Sequence, residues 1–287
     1  MNGTADAAAE NGSSDGDQHG PEPMSTVDAA STVVYSAVLP VICTFGIVGI
    51  LLTLVVLSRK SMRTSTNCYL MALSVTDLAF LVLLASLFVH SGARESHTFH
   101  IYAVYAAIMA NVTLMASIWL TVVLAAERYV AICRPFLAAR VCTVRVAATA
   151  IGVVFALALA IRLPNFFEHR IEWYRDPTAN NRSVAYVAMT DLALDDVYPR
   201  LYPWLVDAVM ASLVPFVALL VLNVSLVREV RRSTRYLQHH IASVSTTTQR
   251  EELQISVMLI SIVVVFFICQ VSLSFYFSLI ISRKRWI

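Results

Sequence analysis

The sequence predicts an all-α membrane protein. Three observations carry that reading: long apolar segments, a low density of charge, and an excess of basic over acidic residues in alternate connections. The chain has 287 residues, 58% of them hydrophobic and only 14% charged, with a mean hydropathy of +0.69. Soluble domains seldom read this way, whereas stacked apolar segments of about 20 residues do. Six such segments are legible, at roughly 33–57, 68–90, 101–133, 145–164, 203–228 and 254–281. Residues 282–287 are a short tail.

Residues 1–32 come first and are of another kind. They are rich in Gly, Ser and Asp and contain no Lys or Arg. That composition predicts a disordered polar tail. The stretch lacks a basic n-region and an apolar h-region, so no secretory signal is expected in it.

The connections set the orientation. The one after the first segment carries Arg59, Lys60 and Arg63; the one after the third carries Arg134 and Arg140, with Arg145 opening the fourth segment. The connection after the fifth carries Arg228, Arg231, Arg232, Arg235 and Arg250. On the other side, the first connection has Arg94 and the second mixes four Arg with six acids. The positive-inside rule therefore places the odd-numbered connections in the cytoplasm and the N-terminus outside. Asn2, Asn11 and Asn181 open glycosylation acceptors on that outer side. Asn111 and Asn223 match the same pattern within segments, where no glycan is expected. Cys43, Cys68, Cys133, Cys142 and Cys269 all fall in segments or on the cytoplasmic side, where thiols stay reduced. Cys133 and Cys142 lack the His and Cys partners of a zinc site.

The third segment ends in "SIWLTVVLAAERYVAICRPF". A charged triplet in such a setting is functional unless it is an interfacial pair that merely ends a helix. Other segments carry related signals. "NCYLMALSVTDLAFLVLL" holds Asn67, Leu73, Ser74 and Asp77; Ser117 and Trp119 lie in the third segment, Pro215 in the fifth, Phe266 and Cys269 in the sixth. Together with Glu127-Arg128-Tyr129, these residues resemble the rhodopsin-like (class A) G protein-coupled receptors, over residues 33 to about 281. "RLPNFFEHR", "LLVLNVSLVREVRRS" and "FFICQ", with Gln270, resemble the invertebrate FMRFamide-type neuropeptide receptors.

The resemblance implies a class A helical bundle with six of its seven transmembrane helices present. It implies a plasma-membrane receptor that takes an extracellular peptide, an amidated FMRFamide-like neuropeptide, and passes the signal to a heterotrimeric G protein. Glu127, Arg128 and Tyr129 would form a cytoplasmic latch with Glu252. An arginine guanidinium is planar and permanently charged, which suits it to gripping a carboxylate. Asp77 and Ser117 would form a polar core that admits a sodium ion, with a neutral, protonated Asp77 as the alternative; Ile50 stands where the family has Asn. No other cofactor and no metal site is expected. His90, Asn111, Met115, Phe167, Glu168, Asp207 and Gln270 would face the ligand cavity. Glu168 or Asp207 would meet the arginine of an amidated Arg-Phe peptide, and the net acidic second outer loop would steer it. Ala110 stands where amine receptors carry Asp, which argues against a biogenic amine. The basic "REVRRSTR" stretch would border the G-protein site, with a solvated face or contact with anionic lipid as the alternatives; membrane lipid is the remaining partner. No nucleic-acid partner is expected.

The chain also departs from the family pattern. Ala103 stands where the family has Cys, so the usual outer disulfide is not expected. Phe155 replaces a Trp, and Ser272 replaces the proline of the sixth helix. After "SFYFSLIISRKRWI" no seventh span follows. The expectation is an incomplete or spliced chain, with a non-signalling or inhibitory six-span isoform as the alternative. A six-span transporter or channel subunit is the rival class. It would show inverted repeats, broken helices or a charged pore ring, none of which is legible. An enzyme is not expected: there is no His-rich cluster, GxSxG motif or pair of catalytic acids.

Overall fold

The computed structural model describes residues 39–59, 64–89, 97–176, 182–195 and 197–240. Helix α1 spans Leu39–Leu57, α2 Ser65–Val89 and α3 His97–Cys133. A short α4 covers Pro135–Val141 and α5 covers Val144–Phe167. A hairpin of β1 (His169–Asp176) and β2 (Arg182–Met189) follows, then a single turn, α6, at Asp191–Leu194. The rest is one continuous helical rod: α7 Tyr198–Pro203, a π-wound stretch Trp204–Leu213, and α8 Val214–His240. Five of these helical stretches, Pro40–Leu57, Ser65–Leu87, Thr98–Cys133, Val144–Phe167 and Leu201–Glu229, are long and apolar enough to cross a membrane. The expected sixth segment at 254–281 lies outside the described residues.

Local chemistry explains where the helices start and how they bend. Thr64 accepts a hydrogen bond from Asn67 N at 3.3 Å, and Thr143 accepts one from Val146 N at 3.4 Å, so each hydroxyl satisfies an otherwise orphan donor in a first turn. Pro135 opens α4, where its missing N–H is not needed. Pro215 explains the π-winding. It has no N–H to give to the turn before it and its ring crowds that turn, so the rod widens ahead of it. The backbone N–H of Val214 accordingly reaches back to Val209 O, and Ser212 Oγ donates to Asp207 O at 2.9 Å.

Within the spans, hydroxyls fold back on their own helix. Thr76 bonds Ala72 O at 2.7 Å and Thr121 bonds Ser117 O at 3.0 Å. Such back-bonding removes a polar cost that lipid would otherwise impose.

Helix α3 is the axis of the bundle. It packs against α2, α5, α8 and the returning strand β2, while α1 packs on α2. Several of its buried positions are small or unbranched, as at Ala106, Ala110, Met115 and Ala116. Between helices in a membrane there is little hydrophobic drive, so close van der Waals packing of small residues must hold them together. The main core cluster shows it: Met115, Ala116 and Ile118 of α3 meet Ala158 of α5 and Val206 and Ala211 of the π-wound stretch. Ala116 is fully enclosed, with 0% exposure. Ala116→Leu should therefore overpack this junction at a cost of about 1–3 kcal/mol. It should lower the melting temperature of the detergent-solubilised protein, whereas Val48→Leu on the exposed flank of α1 should leave it unchanged.

Candidate functional site

Two polar regions lie at opposite ends of the bundle, with a third between them. The first is built on the charged triplet near the end of α3. Glu127 is buried, and both of its carboxylate oxygens are taken by the first turn of α2: Ser65 Oγ donates to Oε1, and Thr66 Oγ1 donates to Oε2 at 2.9 Å. A carboxylate held at a helix N-terminus also meets the positive end of that helix's dipole. Arg128 points the other way. It is exposed, and among the described residues it pairs with no carboxylate. Tyr129 is half-buried. Beyond them, Arg134, Phe136 and Arg140 are exposed on or beside α4, and Phe136 stands 94% clear of the protein. The Cys142 thiol, 3.9 Å from Glu127 O, is pushed up by burial and by the Glu127 charge, so it stays protonated. Glu252 lies outside the described residues.

The second region is mid-bundle. Ser117 Oγ donates to Asp77 Oδ1 at 2.5 Å, which ties α3 to α2. The pair supplies two oxygen ligands of the kind a hard cation takes. Among the described residues, no group of three His, Cys, Asp or Glu side chains stands ready to hold a metal ion.

The third region, at the hairpin end, joins α5 to the π-wound stretch. Its centre is a residue that sequence reasoning passed over. Arg162 is 4% exposed within α5, and its Nη2 lies 2.6 Å from Asp207 Oδ1. Asp207 keeps half of its side chain exposed. For unit charges about 4 Å apart, Coulomb attraction is roughly 4 kcal/mol at an effective dielectric near 20, and desolvation of a buried arginine takes much of that back. Removing either partner is therefore costlier than the pair is stabilising. Tyr202 lies alongside and donates its hydroxyl to Ile161 O at 2.5 Å. Tyr202 and Tyr198 stack with ring centroids 5.0 Å apart, and Tyr198 donates to Glu168 Oε1 at 2.9 Å. Burial first, and then Glu168, push the Tyr198 phenol far above its ordinary value, so it remains a neutral donor.

The hairpin is fastened without a disulfide. Thr190 N donates to Glu168 O at 3.0 Å, and Thr190 Oγ1 donates to Phe167 O at 2.7 Å. The strand that returns from the loop thus satisfies carbonyls orphaned at the end of α5. The strands run antiparallel, with His169 opposite Met189 and Trp173 opposite Ala185. Arg170 pairs with Glu172 at 2.7 Å, and Tyr186 donates to Glu172 at 2.6 Å.

Of the seven residues expected at a ligand cavity, Glu168 and Asp207 belong to this region, each with its own partner. Met115 is 1% exposed and belongs to the core cluster below it. Asn111 turns its amide back to Ala107 O at 3.0 Å, and the Phe167 side chain is 62% exposed. His90 and Gln270 lie outside the described residues, as do Asn2, Asn11 and Asn181. Arg162, Tyr198 and Tyr202 were not anticipated. The available signal was the lone cation of "AIRLPNFF" in an apolar helix, which demands a partner. Among the described residues, the buried atoms Trp119 Nε1, Arg162 Nε and Asn165 Oδ1 lack hydrogen-bond partners. Two of the three therefore belong to this same turn of α5.

The pair makes a direct prediction. Asp207→Asn should leave Arg162 buried and uncompensated, at a cost of about 3 kcal/mol. Arg162→Met combined with Asp207→Leu should recover most of that loss. Thermal unfolding of the purified variants in detergent checks both, and equal instability of the single and double variants contradicts the pairing.

The sequence has counterparts among known proteins. The family model described as "7 transmembrane receptor (rhodopsin family)" matches residues 49–283. The FMRFamide receptor of Drosophila melanogaster is 25% identical over 243 residues, covering 82% of this chain and 43% of the relative. Sex peptide receptor-related protein 2 of Caenorhabditis elegans is 27% identical over 278 residues, covering 90% and 61%. The thyrotropin-releasing hormone receptor of Gallus gallus is 34% identical over 176 residues, covering 59% and 45%. The chain thus spans between 43% and 61% of the length of these relatives. The family's members are receptors and not enzymes. A match across most of the chain, on helices of membrane-spanning length, makes it a multi-pass member of the rhodopsin family of seven-transmembrane receptors.

Proposed function

We propose that the chain forms the bundle of a plasma-membrane receptor for an extracellular amidated peptide of the FMRFamide type, coupled to a heterotrimeric G protein. The observation that carries this reading is the family match together with relatives named for FMRFamide and sex peptide. The hairpin end supports it. It combines a carboxylate without an ion pair among the described residues, stacked tyrosines and exposed hairpin side chains such as Trp173, a mixture suited to a cationic, aromatic peptide. In this reading the hairpin and the N-terminus face outward, and the net acidic second outer loop draws the peptide in. Glycans on Asn11 and Asn181 follow from that orientation, and deglycosylation of site variants reads them. A glycan on an acceptor introduced between Ser58 and Thr66 contradicts it.

The triplet end is the proposed G-protein face. Glu127 is occupied by Ser65 and Thr66, so Arg128 must find its counter-charge elsewhere. Glu252 supplies it in the resting state, and activation releases Arg128. The exposed Phe136, Arg134 and Arg140 border the same face, and the basic end of α8, with Arg228, Arg231 and Arg232 exposed, extends it toward anionic lipid. A sodium ion beside Asp77 and Ser117 remains part of the proposal. Water and other residues would complete its coordination.

The test is second-messenger output from the full receptor, at matched surface level. FMRFamide should evoke a response in the parent and none in Arg128→Ala, which should still bind the peptide. Glu252→Ala should raise basal output, through a coupling on the order of 1–3 kcal/mol. Unchanged basal output in that variant contradicts the latch.

A further inference from the structure

The sequence offers Glu168 and Asp207 as equal candidates for a ligand's cation, and the structure separates them. Asp207 already has a guanidinium at 2.6 Å, that of Arg162, which is 4% exposed and lies too deep to be exchanged for a ligand group. The pair is neutral as a unit. A second guanidinium approaching Asp207 gains only a residual attraction and is repelled by the first. Glu168 has a different environment. Its hydrogen-bond partner is the neutral hydroxyl of Tyr198, and among the described residues it makes no ion pair.

Two further features mark Glu168. It caps the C-terminus of α5 with φ −68° and ψ −22°. A carboxylate there faces the negative end of the helix dipole, where a cation is favoured. The helix dipole is thus unfavourable to this carboxylate, and its one compensating contact is the neutral Tyr198 hydroxyl. The carboxylate is also well fixed. Thr190 clamps the Glu168 backbone from the hairpin side, and Tyr198, stacked on Tyr202, holds Oε1. One carboxylate oxygen is thereby committed, and among the described residues the other accepts no hydrogen bond.

We infer that Glu168 is the specificity-determining anchor for the ligand's guanidinium, and that Asp207 is an internal strut which joins α5 to the π-wound stretch through Arg162. This inference rests on the proposed peptide-receptor function and assigns one residue within it. The ligand class is a peptide with an arginine side chain, attracted as a cation and not as a neutral hydrogen-bond donor.

The test compares FMRFamide with the analogue in which citrulline replaces arginine, a near-isostere without charge, in cells expressing the full receptor. The parent should prefer the arginine peptide by about tenfold or more in half-maximal concentration, as a charge-assisted contact outweighs a neutral one. In Glu168→Gln, whose amide oxygen still accepts from Tyr198, that preference should fall below about threefold. In Arg162→Met with Asp207→Leu, surface-labelled to confirm delivery, the preference should persist. A preference retained in Glu168→Gln overturns the assignment while leaving the peptide-receptor reading intact. A preference lost only in the Arg162/Asp207 variant overturns it too and gives the role to Asp207. If the parent answers neither peptide at matched expression, the receptor reading itself fails and the assignment falls with it.

Discussion

A cation buried in a membrane-spanning helix must be neutralised where it sits, and Arg162 is such a cation. Asp207 meets that demand, and the rest of the hairpin end is arranged around their contact. It fixes the rotation of the π-wound stretch against α5, which brings Val206 and Ala211 onto Ala158 and Met115. Beside it, Tyr202 donates to Ile161 O and stacks on Tyr198, and Tyr198 donates to Glu168. The polar chain and the apolar cluster are two faces of one junction. The π-winding enforced by Pro215 helps to make the junction possible, because it alters the pitch of the segment that carries Asp207.

The same logic recurs along α3. In lipid a polar group without a partner is costly, and several deep ones are matched across a helix interface. Asp77 is matched by Ser117, and Glu127 by Ser65 and Thr66. These contacts link α2 to α3, while Arg162 and Asp207 link α5 to the rod beyond it. Because Glu127 is satisfied by neutral hydroxyls, Arg128 is left exposed next to it. An exposed charge without an ion pair among the described residues is available to a partner in a way that a paired charge is not.

Much of the architecture was legible in the sequence, because apolar runs of spanning length and the triplet at the end of the third are strong signals. Asp77 and Ser117 were also legible as a pair, since both belong to one family pattern. The π-winding was not, because hydrophobic periodicity over 203–228 does not distinguish 3.6 from wider turns. Nor was the hairpin at 169–189, whose apolar and polar residues are mixed on a stretch that read as an acidic loop. The identity of Asp207's partner was hidden for a different reason. Arg162 is 45 residues away, and no local rule reaches that far. Glu168 and Asp207 therefore looked equivalent in the sequence, and only their surroundings distinguish them.

The central claim is that Asp207 belongs to the protein's interior chemistry and Glu168 to its ligand's. An experimental structure of the full receptor with bound FMRFamide tests it most directly. The account predicts that Arg162 and Asp207 remain in ion-pair contact and that the peptide's guanidinium lies against the Glu168 carboxylate, with Tyr198 still donating to it. A guanidinium seated on Asp207, with Arg162 displaced, would contradict it.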